Sequence, residues 1–152
     1  SSDLDHVFSS KTVAKINRPV VELMKSARER GERVVLASAS FKTIVAPLAR
    51  YLEVEDVIAS ELEFDDGVSN GRLSTIPAFR DGKKDLVLRF LKSTGAEPEQ
   101  CVFYSDSARD LPLLETVGKP VVVNPNSRMR RIADRRGWQI LDTRKYEERR
   151  SC

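Results

Sequence analysis

Between Arg18 and Leu141 the apolar residues keep changing period, from helical spacing to short unbroken runs and back. That alternation constrains the fold more than any other feature, because parallel strands must be joined by crossovers, usually helical ones. Pro19 to Arg30 carries Val20, Val21, Leu23, Met24 and Ala27 at helical spacing, with proline in the first turn and Gly31 as a stop. Val34-Val35-Leu36-Ala37 is a continuous apolar run, the pattern of a strand buried on both faces. Phe41 to Leu52 returns to helical spacing through Ile44, Val45 and Leu48; Ser40 is the expected N-cap, and Pro47 predicts a kink or a late start.

The series continues with a strand at Val57-Ile58-Ala59, a helix over Lys83 to Ser93 ended by Gly95, and a strand at Val102 to Tyr104. A helix over Arg109 to Val117, a strand at Pro120 to Val123, a helix over Arg128 to Arg136 and a strand at Trp138 to Leu141 complete it. Leu62, Phe64, Val68 and Leu73 surround Asp66-Gly67 and Asn70-Gly71, two turn-type dipeptides, so a small β-excursion is expected near 60–73. The prediction is an α/β fold with a doubly wound, mainly parallel sheet, of Rossmann-like type, and no cap domain. It divides into a short segment 1–17, an α/β core 18–142 and a charged tail 143–152.

Charge adds little to this. The net charge of +3 comes partly from Arg128, Arg130, Arg131, Arg135, Arg136 and the end of the chain, with no interleaved aromatic residues of a single-strand nucleic-acid surface. These arginines read as a solvated helix face and a frayed tail, so no nucleic-acid partner is expected. Only Cys101 and Cys152 are present; free thiols and a reducing compartment are expected. No apolar stretch approaches the roughly 18 residues that span a bilayer, and the chain reads as cytoplasmic without a membrane partner.

Four places could carry chemistry, each near a predicted strand end. In Cys101-Val102-Phe103-Tyr104-Ser105-Asp106-Ser107-Ala108-Arg109-Asp110, a strand-type run stops in Ser-Asp-Ser and a second aspartate follows four residues later. Open α/β sheets bind ligands at the carboxyl ends of their strands. Two hard oxygen donors without His or Cys suit Mg²⁺ better than zinc. Helix capping would explain one of these acids but not both. Ser38 follows the Val34–Ala37 strand, beside the start of a helix, where it could hold a phosphate oxygen or simply cap. Lys83 opens a helix, where an ammonium opposes the dipole; neutralising a phosphate would explain it, and so would a surface role. Asp3-Leu4-Asp5-His6-Val7-Phe8 offers an Asp-x-Asp in which Asp3 could be nucleophile and Asp5 general acid/base.

Taken in order, these segments resemble the haloacid dehalogenase superfamily of aspartate-dependent phosphohydrolases, and within it the phosphoserine-phosphatase-like branch. Val34 to Ser40 is similar to its second motif, Lys83 to its third-motif lysine, and Ser105 to Leu114 to its fourth, metal-binding motif. Val117 to Pro125, Arg131-Ile132-Ala133, Gly137-Trp138, Ile58 to Glu63 and Gly71-Arg72-Leu73 extend the likeness. The resemblance implies a phosphomonoester hydrolase that works through an aspartyl-phosphate and uses Mg²⁺. It implies Asp3, Asp5 and Lys83 as catalytic groups, and Ser38, Ala39 and Lys83 as phosphate-binding residues. Asp3, Asp5, Asp106 and Asp110 would serve as metal ligands.

The chain departs from that pattern at its start. Only Ser1 and Ser2 precede Asp3, so the strand expected to present it is absent, and Ser9 to Asn17 leaves no room for a cap. A cap-less form, a fragment of a larger protein, or a coincidental Asp-x-Asp are the three explanations. The alternative function is a catalytically silent domain that binds phosphate and metal, or another protein. An uncapped site would suit a bulky phosphorylated substrate, or closure by a second subunit or a fused domain.

Overall fold

The computed structural model describes residues 4–14, 18–60, 62–65, 68–73 and 81–143. Its centre is a sheet of six parallel strands: β1 (Asp5–Ser9), β2 (Arg33–Phe41), β3 (Asp56–Ser60), β6 (Cys101–Ser105), β7 (Lys119–Val123) and β8 (Gln139–Leu141), in the order β3-β2-β1-β6-β7-β8. The doubly wound parallel sheet expected from the alternation is therefore present. Between β3 and α4 (Asp81–Ser93), a separate antiparallel pair, β4 (Leu62–Asp65) and β5 (Val68–Leu73), forms the predicted β-excursion. Asn70-Gly71 does not turn the chain there. It lies within β5, where the pairing slips from Phe64↔Ser69 to Leu62↔Leu73 and the extra residues are taken up as an irregularity of the ladder.

Helices cover both faces. On one side α1 (Ser10–Ala14), α2 (Arg18–Glu29) and α3 (Lys42–Tyr51) bury Val13, Val20, Met24, Val45 and Ala49 against Phe8, Leu36, Tyr104 and Val121. On the other, α4, α5 (Leu111–Leu114) and α6 (Ser127–Arg136) bury Val87, Leu91, Leu113, Leu114, Met129 and Ala133 against Val7, Val35, Phe103 and Val122. Neighbouring residues of β1 and β6 thus feed opposite cores, the two-residue alternation of a strand covered on both faces. Each large side chain so buried stabilises by about 1.5–3 kcal/mol. Pro47 lies inside α3, which nevertheless runs continuously from Lys42, and the residue before it, Phe41, makes no side-chain cap, so Ser40 is not the expected N-cap.

The largest departure from the sequence expectation is β1. The segment 1–17 does not stand apart from the core, since Asp5–Ser9 is the central strand, paired with β2 on one side and β6 on the other. Its polar ends are made tolerable by partners far along the chain. His6 Nδ1 lies 2.9 Å from Tyr104 Oη and Nε2 lies 3.0 Å from Glu32 Oε1, all buried. A carboxylate only accepts, so Nε2–H donates to Glu32 and Nδ1 accepts from the Tyr104 hydroxyl. Burial pushes that phenol up to about 12, keeping it a donor. Arg30 closes the network on Glu32 at 2.7 Å.

Candidate functional site

Two adjacent strands end in an apolar residue followed by serine, Phe8-Ser9 and Tyr104-Ser105, and β2 has the same step at Ala37-Ser38, where its pairing with β1 stops. Parallel register brings them level. Ser9 pairs with Ala37, one residue before Ser38, and Phe8 pairs with Tyr104, one residue before Ser105. All three serines are buried, at 2%, 1% and 0% exposure, along the carboxyl edge of the sheet.

The helices that leave this edge add the charged groups. Lys83, in the first turn of α4, reaches Asp110 with Nζ–Oδ1 at 3.0 Å, and both side chains are buried. The other oxygen of Asp110 accepts from Ser105 Oγ at 2.6 Å. Ser105 Oγ in turn accepts from the Ser107 N–H at 3.1 Å, fixing the turn that follows the strand. Asp106 is anchored from β1's side: Thr12 Oγ1 donates to Asp106 Oδ1 at 3.1 Å and accepts from the Asp106 N–H at 3.2 Å. Ser38 Oγ accepts from the Ser40 N–H at 2.9 Å.

Simple capping does not explain the two aspartates. Ser107 caps the 3₁₀ turn Ala108–Asp110 through the Arg109 N–H, and Asp110, at the start of α5, makes no side-chain cap. Its carboxylate instead neutralises a buried ammonium that would otherwise be far too costly to hold there. Lys83 is therefore not the surface lysine that its sequence position also allowed.

The structure thus brings Ser38, Lys83, Asp106 and Asp110 to one edge, and it does not bring Asp5. Asp5 begins β1 where Ser9 ends it, roughly 13 Å away along the strand and at the amino edge. There it lines a different cleft, of about 450 Å³, with Arg28, Glu32, Arg33 and Asp56. Among the described residues its Oδ2 has no hydrogen-bond partner, and it sits 3.8 Å from Arg33 Nη1. Burial pushes its carboxyl above the ordinary range, against the pull of Arg33. Asp5, expected as a general acid/base and metal ligand, is therefore not grouped with Ser38, Lys83, Asp106 and Asp110: β1 runs from it to the carboxyl edge where they lie. Asp3 lies outside the described residues, and the Ala39 side chain is likewise outside the description.

Ser9, Thr12 and Ser105 are the residues at this edge that the sequence reading did not single out. A signal for Ser9 was present: Val7-Phe8-Ser9 ends as Leu36-Ala37-Ser38 does. None was present for Thr12, whose partner is 94 residues away.

As a metal centre the edge has the right donor type and too few donors. Asp106 and Asp110 offer hard carboxylate oxygens, as Mg²⁺ prefers. Both oxygens of Asp110, however, are taken by Lys83 and Ser105. Among the described residues no three His, Cys, Asp or Glu side chains come together as a metal-holding group. The described residues therefore do not by themselves fit the ion. Also among the described residues, no helix is long and apolar enough to cross a membrane, and Cys101 is a buried free thiol, pushed up to about 12 by burial.

A probable phosphatase of Mycobacterium tuberculosis is 35% identical over 137 residues, covering 87% of this chain and 47% of that protein. A phosphoserine phosphatase of the same organism is 34% identical over 140 residues, covering 92% of this chain and 46% of that protein. The chain thus spans about half the length of these curated relatives. A solved structure of a protein of unknown function from Bordetella pertussis Tohama I superposes with a TM-score of 0.75 at 34% identity, over 88% of this chain and 63% of that one. The family model for haloacid dehalogenase-like hydrolases matches residues 1–115, and the chain belongs to that family.

Proposed function

We propose that the carboxyl edge of the sheet binds the phosphoryl group of a phosphate monoester, as the phosphate-handling part of a Mg²⁺-dependent phosphohydrolase. The observation that carries this reading is the buried Lys83–Asp110–Ser105 chain at the same edge of the sheet as the buried hydroxyl of Ser38, two strands away. A lysine held at the end of a central strand by a single carboxylate keeps donors for an incoming anion, since an ammonium has three. Ser38 lies in β2 four residues before α3 begins at Lys42, and its hydroxyl oxygen accepts from the Ser40 N–H, which leaves its proton to donate to a bound anion. Asp106, oriented by Thr12, is the carboxylate best placed to take part in cation binding.

In this reading Lys83 balances charge on the phosphoryl oxygens and Ser38 fixes one of them, while Thr12 and Ser105 hold the two aspartates in orientation. The family relationship extends it to hydrolysis through an aspartyl-phosphate; Mg²⁺, were it held by Asp106 together with groups outside the described residues, would supply positive charge beside the phosphoryl group. That step needs a carboxylate nucleophile, which in this chain would have to come from outside the described residues, Asp3 included. The substrate class is phosphate monoesters. The names of the relatives make phosphoserine the first compound to try.

Calorimetric titration with inorganic phosphate tests the binding. Saturable binding that weakens about tenfold in Ser38→Ala, the loss of one hydrogen bond to a charged group, supports the reading. Binding unchanged in that variant, or none in the wild type, contradicts it.

A further inference from the structure

At the amino edge, away from the phosphate site, a cleft of about 450 Å³ opens where β1, β2 and β3 begin. Asp5, Arg33 and Asp56 alternate with Val7, Val35 and Ile58, so all three lie on the face of the sheet that α4 covers. α4 starts at the carboxyl edge with Lys83 and ends here, and Phe90 of its last turn carries the Arg33 guanidinium 5.7 Å from the ring centroid. Parallel pairing aligns Asp5 with Arg33 and Val35 with Asp56, which puts the two aspartates on the strands either side of β2.

Asp5 is 7% exposed, and among the described residues its Oδ2 has no hydrogen-bond partner. Arg33 Nη1 stands 3.8 Å away, too far for a hydrogen bond, and its guanidinium is drawn to the Phe90 ring instead. Burial, with the like charge of Asp56 behind it, pushes the Asp5 carboxyl up against the pull of Arg33. A buried carboxylate left without a donor destabilises the fold more than a neutral side chain of the same size. An acid kept at such a cost on the wall of a cleft is the mark of a binding site.

Charge decides what such a cleft takes. Among the described residues five carboxylates line it against two guanidinia. Glu32 is already balanced, by Arg30 at 2.7 Å and by His6 at 3.0 Å. Arg28 gives its Nη1 donors to the carbonyls of Leu52 and Glu53 and not to a carboxylate. With Glu32 set aside, four negative charges face two positive ones, an excess that a dication matches. A bare metal ion suits the cleft poorly. Mg²⁺ and Ca²⁺ take about six or more oxygen ligands, and no three His, Cys, Asp or Glu side chains among the described residues come together as a metal-holding group. An ammonium offers three N–H donors, which is what Oδ2 lacks. Gly31, Val34 and Val54 also line the cleft, so part of its wall is apolar and suits a hydrocarbon chain.

We infer that the amino-edge cleft binds a short alkyl diamine as its diammonium ion, one nitrogen donating to Asp5 and the other lying against Asp56. Two strand spacings separate the aspartates, roughly 10 Å. Hydrogen bonds of about 2.9 Å at each end leave a gap that about four methylenes span. Bound there, the ammonium supplies the donor that Asp5 Oδ2 lacks and offsets the repulsion between Asp5 and Asp56. The site is separate from the carboxyl edge, and it stands independently of phosphate binding there.

Calorimetric titration with 1,4-diaminobutane at neutral pH and fixed ionic strength tests it, together with melting temperatures measured with and without the diamine. The wild type should bind one equivalent saturably, and binding should weaken about tenfold in Asp5→Asn and in Asp56→Asn, each of which loses a contact between charged groups. Butylamine, with a single charge, should bind about tenfold more weakly than the diamine. The diamine should raise the melting temperature of the wild type and leave that of Asp5→Asn nearly unmoved. Asp5→Asn keeps the size of the side chain and removes a buried charge, so it is expected to fold; should Asp56→Asn not fold, Asp5→Asn and butylamine decide. No saturable binding to the wild type would overturn the inference, and so would an affinity unchanged in the variants. Ca²⁺ or Mg²⁺ that displaces the diamine, and whose own binding is lost in Asp5→Asn, would make this a metal site and overturn it too.

Discussion

Lys83 and Asp110 form an ion pair 3.0 Å long between α4 and the start of α5, with 8% and 4% of their side chains exposed. Each is the other's charge partner, so removing one leaves the other's charge buried without compensation. Lys83→Met should therefore destabilise the fold by about 3–5 kcal/mol by stranding a buried carboxylate. The double variant Lys83→Met/Asp110→Leu should recover a large part of that loss. Urea unfolding of the four proteins checks it, and additive losses would show the pair to be uncoupled.

Thr12 holds Asp106 by two bonds, one to the side chain and one to the backbone. Thr12→Val keeps the shape and removes both, so a cost of about 1–2 kcal/mol is expected. Phosphate affinity should fall less than in Ser38→Ala, because Thr12 acts through Asp106. A titration in which Thr12→Val loses more than Ser38→Ala would reverse the assigned roles.

Asp5 is a buried acid whose Oδ2 has no hydrogen-bond partner among the described residues. Burial raises its pKa in the folded state above the ordinary value of 3.8, so the folded chain binds the proton more tightly than the unfolded one. Stability is then lost as pH rises from below 3.8 through the folded value, and at neutral pH the ionised group is a cost. Asp5→Asn should raise the melting temperature at pH 7, by the equivalent of about 1 kcal/mol, with little gain under acid conditions. Phosphate binding at the opposite edge should not change.

His6 has the opposite sign. Burial lowers its folded pKa below 6.5, although Glu32 opposes the shift. The unfolded chain therefore takes up a proton first on acidification, and stability falls as pH drops through 6.5 toward the folded value. Replacing His6 by Gln should flatten that part of a plot of melting temperature against pH. A slope as steep as wild type would place the titrating group elsewhere.

Most of the sheet was legible because strands buried on both faces read as unbroken apolar runs: Val34–Ala37, Val102–Tyr104 and Pro120–Val123 all became strands. The central strand was not legible. Asp5, His6 and Ser9 leave only Val7-Phe8 as an apolar signal. The groups that make His6 acceptable in a core, Glu32 and Tyr104, lie 26 and 98 residues away. Hence the sequence shows no strand to present the Asp-x-Asp, whereas its second acid begins the central strand. At the carboxyl edge, Ser38, Lys83, Asp106 and Asp110 could be singled out as candidates because each lies near the end of a clear apolar element. The Lys83–Asp110 contact itself, joining residues 27 apart, left no local trace.

The most direct measurement is a crystal structure of the chain with tungstate, a phosphate analogue located by its anomalous scattering. The expected result is one strong site at the carboxyl edge, within hydrogen-bond distance of Ser38 Oγ and Lys83 Nζ and absent in crystals of Ser38→Ala. Tungstate found only on the exposed arginines of α6, or beside Arg28 and Arg33 at the amino edge, would contradict a phosphate site built from Ser38 and Lys83.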